Sequence, residues 1–272
     1  MRIIKLSILL AGLFALVGNV MADEVITIAA SPVPHAEILK QVQPLLKKSG
    51  IDLEIKEFND YILPNMVVQE GKMDANFFQH RPYLEQFNKE RNTDLVELVG
   101  VEIEPIGIYA SKNPTLATFV KSKSVAKLPK NGLKVGVPND TTNEGRALLL
   151  LQKHGFIQIR AGVKFPTKND IVANPYNLTL IELEAPMLPR LLLSQQVDLA
   201  VVNSNFALGA GLNPVKDPIF LEDSTSPYVN IIAVRKDSLN TPKMKKLIAA
   251  IKSPQIKAYM QRKYRGAVVP AY

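Results

Sequence analysis

The 272-residue chain contains no cysteine and no tryptophan. Without cysteine there is no disulfide, no thiol nucleophile, no thiolate metal site and no lipid held through a cysteine. An exported form must therefore keep its shape without covalent cross-links. Histidine is scarce too: His35, His80 and His154 are the only three, and no HExxH spacing or G-x-S-x-G nucleophile turn occurs. Gly107, Gly132 and Gly136 do not make a dinucleotide fingerprint. A metal receptor would have to draw on His35 and His80 with Asp74 or Glu37, and a secreted hydrolase on Ser31 or Ser226 with no convincing base. The expectation is no cofactor, no metal, no catalytic residue and no enzyme. The net charge of +8 is spread over ordinary lysines such as Lys47, Lys48, Lys121, Lys123, Lys245 and Lys246. With no basic stripe interleaved with aromatics, nucleic acid is not an expected partner.

Long apolar runs are rare as well, and the one that stands out lies at the start. Arg2 and Lys5 precede an apolar stretch over residues 6–20, and Val20-Met21-Ala22 offers a small-x-small cleavage pattern. Gly12, Gly18 and Asn19 interrupt that stretch, which is shorter than the roughly 20 residues that span a bilayer. Residues 1–22 therefore read as a signal peptide, with the mature chain starting at Asp23 and an uncleaved tether as the alternative. The remaining charge would be 31 basic against 25 acidic residues, or +6. A hydrophobic content of 47% suffices for a sizeable core, more in keeping with two lobes than one.

What the chain does contain is an α/β pattern that comes twice. Residues 25–30 form an apolar, β-branched run, an amphipathic helix is expected from about His35 to Lys48, and residues 51–58 alternate as a strand. The order returns as a strand over 133–137, a helix over 141–154 stopped by Gly155, and a strand over 157–163. A second echo links Leu63-Pro64 and Asp74 with Leu188-Pro189 and Asp198, each aspartate preceding a short strand that ends in polar groups. Residues 101–111 and 228–235 read as extended crossings between lobes. Two helices, near 242–251 and 255–265, close the chain, and residues 112–130 lack strong periodicity and are expected to be mainly surface structure. The expected fold is α/β, with each lobe a mostly parallel sheet flanked by helices and two crossing segments between them. The boundaries read as 23–107 plus 231–272 for lobe I and 108–230 for lobe II.

Parallel sheets offer ligands the space beyond the carboxyl ends of their strands. There the chain places Tyr61, then Phe77, Phe78, His80 and Tyr83, then Asn203 and Asn205, and the run from Ser226 to Asn230. Phe77 and Phe78 are adjacent in a strand, so one faces a cleft and the other the core. Tyr61 and Tyr83 could equally be half-buried surface tyrosines, His80 a structural histidine, and Asn203 and Asn230 partners of turn backbone. Arg146 sits one turn into an apolar helix, where Thr141 and Glu144 fit a capping box, so an anionic group is the expected partner. The alternative is a structural salt bridge to Glu182 or Glu184.

The runs at 30–39, 74–84, 138–148, 182–185 and 226–232 resemble, in this order, the NlpA/MetQ family of substrate-binding proteins of bacterial methionine ABC importers. The resemblance extends over essentially the whole mature chain. It implies a type II periplasmic-binding-protein fold whose two lobes close over methionine. It further implies that Tyr61, Phe78, His80 and Tyr83 surround the thioether, that Arg146 holds the carboxylate, and that Asn203 and Asn230 hold the polar end. Asn143, Glu184 and Tyr228 lie in matching motifs and carry over with less force. Implied partners are L-methionine or a related molecule, D-methionine, a methionine derivative or a methionine dipeptide among them, and an inner-membrane permease with its ATPase. The receptor is expected to be a monomer, soluble in the periplasm after signal cleavage. Family members are commonly lipoproteins, and the missing cysteine departs from that pattern. Replacement of Arg146 by alanine is expected to weaken binding and leave the fold intact.

Overall fold

The computed structural model describes residues 24–130, 132–223 and 227–272. The signal-peptide expectation for residues 1–22, and Ser226 with it, lies outside the described residues. The chain begins with strands β1 (Glu24–Ala30), β2 (Ile51–Glu57), β3 (Ala75–His80) and β4 (Val96–Ile103), separated by helices α1 (Glu37–Lys47), α2 (Leu63–Gln69) and α3 (Arg81–Arg91). After Glu104-Pro105-Ile106 it enters a second unit with β5 (Gly107–Ala110), α4 (Ala117–Ser122), β6 (Lys134–Pro138), α5 (Thr141–Lys153), β7 (Gln158–Ile159) and β8 (Ile171–Ala173). That unit continues with β9 (Thr179–Leu183), α6 (Leu188–Leu193), β10 (Leu199–Val202), α7 (Ser204–Gly209) and β11 (Phe220–Leu221). The chain then returns to the first unit as β12 (Val229–Val234), α8 (Pro242–Ile251), α9 (Pro254–Tyr264) and β13 (Val269–Pro270).

The strand order is β2-β1-β3-β12-β4-β13 in one sheet and β9-β6-β10-β5-β11 in the other. The two lobes share one plan, in which a first strand lies between the second and third and the strand entering from the other lobe comes next. That entering strand runs backwards, because a crossing delivers the chain to the carboxyl ends of the parallel strands: β12 is antiparallel to β3 and β4, and β5 to β10. The other neighbours of the first strands are parallel. Among the described residues, four of six strands in the first sheet and four of five in the second run the same way.

Period-two alternation sends successive side chains to opposite faces, so both faces of each sheet can be covered. Ile26, Ile28 and Ala30 of β1 pack with Leu39 and Val42 of α1 and with Leu247 and Met260 of α8 and α9. Ala29 on the opposite face meets Val68 and Leu84 of α2 and α3. In the second lobe Val135, Val137, Leu199 and Val201 face Leu148 and Leu151 of α5, while Ala200 and Val202 face Leu188 and Leu192 of α6.

Two local expectations differ from the structure. The strand expected over 157–163 shrinks to β7, which pairs only with β8, and the true parallel neighbour of β6 is β9. Arg160, Gly162 and Lys164 supply no apolar side chains for a sheet interior, whereas Leu180 packs against the core. Residues 112–130 are mainly surface structure, as expected, with Leu116, Phe119 and Leu128 closing one end of the second core. The helix cap lies one residue earlier than the Thr141–Glu144 box: Asp140 accepts from the Asn143 N–H at 2.9 Å, and Glu144 accepts from the Lys168 N–H at 3.1 Å.

The paired aspartates turn out to be structural twins. Asp74 accepts from the Thr27 N–H on the first strand of its lobe at 2.8 Å, and Asp198 from the Lys134 N–H on the first strand of its own at 2.9 Å. Each carboxylate ties the turn before the third strand to the first, at mid-strand for Asp74 and at the strand's start for Asp198. Asp74→Ala and Asp198→Ala should each lower stability by about 1–3 kcal/mol, additively because they sit in different lobes. Urea unfolding of the two single variants and the double variant measures this, and a change below a few tenths of a kcal/mol in either single variant refutes the role.

Candidate functional site

The carboxyl ends of both sheets face one another, and between them lies a small cavity. Residues from both lobes line it. From lobe I come Tyr61, Phe78, Gln79, His80, Tyr83, Glu104 and Asn230, and from lobe II Asn143, Arg146, Asn203, Ser204 and Asn205. All seven residues that the resemblance implies as binding groups, and Asn143 as well, therefore meet around one space.

One wall is aromatic. Phe78 points into the cavity while Phe77 is wholly buried in the core, edge-on to the His35 ring at 4.5 Å. Tyr61 packs against Phe78 and Tyr83 at 5.8 Å each, and against Phe206 of the other lobe at 4.9 Å. The hydroxyls are occupied, with Tyr83 donating to the Tyr61 carbonyl and Tyr61 to Asn205 Oδ1, both at 2.7 Å. Rings fixed at both ends make a preformed apolar wall.

The opposite wall is polar and spans the lobes. His80 Nδ1 accepts from the Tyr83 N–H at 3.1 Å, which leaves the proton on Nε2 and lets it donate to Asn143 Oδ1, also at 3.1 Å. Asn203 Nδ2 donates to the same oxygen at 2.9 Å, and Asn143 Nδ2 donates to Asp140 at 3.0 Å. Asn203 Oδ1 is buried and without a partner. An acceptor held dry in this way is suited to a ligand N–H. Burial, then the charge of Arg146, lowers His80 to about 3, so the ring is a neutral donor at physiological pH.

Arg146 is 4% exposed and does pair with a carboxylate, though neither Glu182 nor Glu184. Glu182 binds Lys168, and Glu184 lies exposed on a neighbouring groove with Asp60, Asn139 and Pro186, outside the cavity lining. The partner is Glu222, which takes Nε at 3.0 Å and also Nη2, while the Glu104 carbonyl takes Nη2 at 2.8 Å. Nη1 is the guanidinium nitrogen these groups do not engage. Tyr228, outside the cavity lining, stacks its ring on the guanidinium at 4.3 Å and meets His80 at 5.0 Å.

Beneath Arg146 the Nε2 atom of His35 lies 3.3 Å from Glu104 and 3.6 Å from Glu102. Among the described residues this is the group of three metal-ligating side chains that converges. His35 and His80 do not come together with Asp74 or Glu37: Asp74 binds Thr27 and Lys243, and Glu37 binds Tyr264. The His35 Nδ1 atom has no partner, whereas a ligating histidine usually hands its second N–H to an acceptor. Burial lowers His35 to about 3, so the cluster is built for neutral groups.

Comparison with known proteins places the chain. The model of the family described as NlpA lipoprotein matches residues 26–272. The chain belongs to the NlpA lipoprotein family. It is 44% identical over 238 residues to the D-methionine-binding lipoprotein MetQ of Salmonella typhi, across 87% of this chain and 83% of that one. A nutrient-binding protein from Burkholderia cenocepacia solved with methionine is 41% identical, with a TM-score of 0.84 over 91% of this chain and all of the other. An ABC-transporter periplasmic substrate-binding protein from Coxiella burnetii is 34% identical, with a TM-score of 0.82 over 90% of this chain and all of that one. The two-lobed architecture of this NlpA-family chain is thus that of periplasmic substrate-binding proteins. These relatives are named for binding, none for a reaction, in keeping with a chain that is not an enzyme. The family name refers to lipoproteins, yet these 272 residues hold no cysteine to carry a lipid.

Glu104, Glu222 and Ser204 were not among the contacts expected from the residues alone. Glu102 and Glu104 carried a signal in the alternation of Val101-Glu102-Ile103-Glu104, which puts both acids on one face of a buried strand. Glu222 carried none, lying 76 positions from Arg146.

Neutral His80 has a testable signature. Nitrogen NMR should show the Nε2–H tautomer and no titration between pH 8 and pH 5. The unfolded chain takes up a proton near pH 6.5 that the fold refuses until about 3, so this contribution to stability declines as pH falls through that window. A ring that titrates near 6.5 in the folded protein refutes the assignment.

Proposed function

We propose that this chain is a periplasmic receptor that captures methionine between its lobes and hands it to an ABC importer. The observation that carries the reading is the pairing, in one cavity, of an aromatic wall with a buried arginine and an unpartnered asparagine oxygen. The thioether lies among Tyr61, Phe78 and Tyr83, the carboxylate meets Arg146 Nη1, and Asn203 and Asn230 meet the polar end. Sulfur against rings contributes about 0.3–1.5 kcal/mol per contact and each buried CH₂ about 0.8 kcal/mol. A charged hydrogen bond from arginine adds about 1.5–3 kcal/mol.

Relatives named for D-methionine and a neighbour solved with methionine support the ligand class, with D-methionine, a derivative or a methionine dipeptide as alternative ligands. Delivery to a permease is supported by the Coxiella relative and by apolar side chains beside the cleft. Exposed Ile62 and Leu63 of lobe I share an outer groove with Ala185 and Pro186 of lobe II. In this reading the receptor works as a monomer and residues 1–22 direct its export.

Calorimetry of the mature chain against L-methionine, D-methionine, a methionyl dipeptide and unrelated amino acids tests the reading. Heat with a methionine compound is expected, and silence with all of them refutes it. Arg146→Ala should weaken methionine binding by about 10-fold to 150-fold. Contrary to the expectation of an intact fold, the same change strands the Glu222 carboxylate, 16% exposed, and should cost about 3–5 kcal/mol of stability. Affinity within twofold of the parent protein would remove Arg146 from the site.

A further inference from the structure

Glu104 is the only acid among the cavity-lining residues, and Arg146 the only base with a permanent charge. Because Glu222 already neutralises Arg146, a bare cavity has no other fixed countercharge for a ligand cation. An ammonium moved from water into such a place costs several kcal/mol unless a carboxylate and further acceptors receive it. Asn203 Oδ1 is one free acceptor, and Glu104 supplies the carboxylate.

The surroundings of Glu104 define its state. His35 faces it at 3.3 Å from the turn ahead of α1, and Glu102 lies two residues earlier on β4. Asn230 of β12 donates to it at 3.2 Å, the Asn205 backbone of α7 reaches it, and Arg146 of α5 holds its carbonyl. Tyr61 on the aromatic wall feels its charge. Burial raises Glu104 to about 8, against the opposing charge of Arg146 and the hydrogen bonds from Glu102 and Asn205. Burial and the nearness of Glu104 push Glu102 well above the carboxylate range. Two buried acids side by side with a neutral histidine are therefore a store of protons beneath the ligand.

We infer that Glu104 is the counter-ion of the ligand's ammonium, and that capture of a zwitterionic amino acid expels a proton from the buried Glu102–Glu104 pair. This deepens the methionine reading and rests on it. The step balances: protonated Glu104 and a ligand ammonium become a carboxylate–ammonium pair, and one proton passes to the buffer. No other bond changes. Because the free protein must give up that proton, affinity rises with pH until about 8 and then levels off, changing by at most about tenfold per pH unit below it.

The test is calorimetry of the mature chain with L-methionine at pH 7 in phosphate and in Tris, whose ionisation heats differ. The expected result is a binding enthalpy that changes with the buffer by about half to one proton released per ligand bound. Glu104→Gln should abolish that dependence and weaken L-methionine at least tenfold, while 4-(methylthio)butanoate, which lacks the amine, binds parent and variant within threefold. Methionine binding with a buffer-independent enthalpy in the parent protein overturns the inference and leaves the methionine reading standing. An unchanged affinity of Glu104→Gln for L-methionine overturns it likewise. No heat with any methionine compound overturns both.

Discussion

The guanidinium of Arg146 is the joint of the molecule. It rises from the first turns of α5 and grips both segments that link the lobes: the Glu104 carbonyl on the first crossing and the Glu222 carboxylate on the second. Those crossings are also tied to each other, since the Glu222 N–H donates to the Ile106 carbonyl and the Glu222 carboxylate accepts from the Ile106 N–H. A rigid, always charged fork suits this task because it can satisfy several acceptors in fixed directions at once. Whatever docks on its remaining nitrogen thereby touches the place where the two crossings meet.

Around that joint the cavity divides its work between two kinds of wall. The aromatic wall is anchored by hydroxyls that already have partners, so it offers surface with little left to order. The polar wall runs from His80 through Asn143 to Asn203 and crosses from one lobe to the other. Tyr61 to Asn205 and Thr141 to Glu90, each at 2.7 Å, make further links across the cleft. A ligand in this space completes a network that the two lobes build only when they are together.

Much of this was legible in the residues. Continuous apolar strands followed by amphipathic helices gave the two α/β lobes, and the echo of Leu63-Pro64 and Asp74 in Leu188-Pro189 and Asp198 marked real counterparts, though for backbone anchoring rather than ligand contact. The split of Phe77 and Phe78 between core and cavity followed from the pleat alone. What local pattern could not supply was choice among partners. Asp140 took the cap because its carboxylate reaches the Asn143 N–H, leaving the Thr141 hydroxyl to cross to Glu90. Arg146 passed over the nearby Glu182 and Glu184 for a residue brought close only by the second crossing.

The backward strand β12 has a consequence for how the molecule comes into being. It lies between β3 and β4 in the first sheet, yet the ribosome delivers it only after the whole second sheet, with Val229 pairing beside Ile103. Lobe II is one contiguous stretch and can finish its sheet early, while lobe I waits for a strand more than a hundred residues downstream, a slow closure. A chain cut short before Val229 would leave β3, with its two phenylalanines, as a bare sheet margin open to sticking.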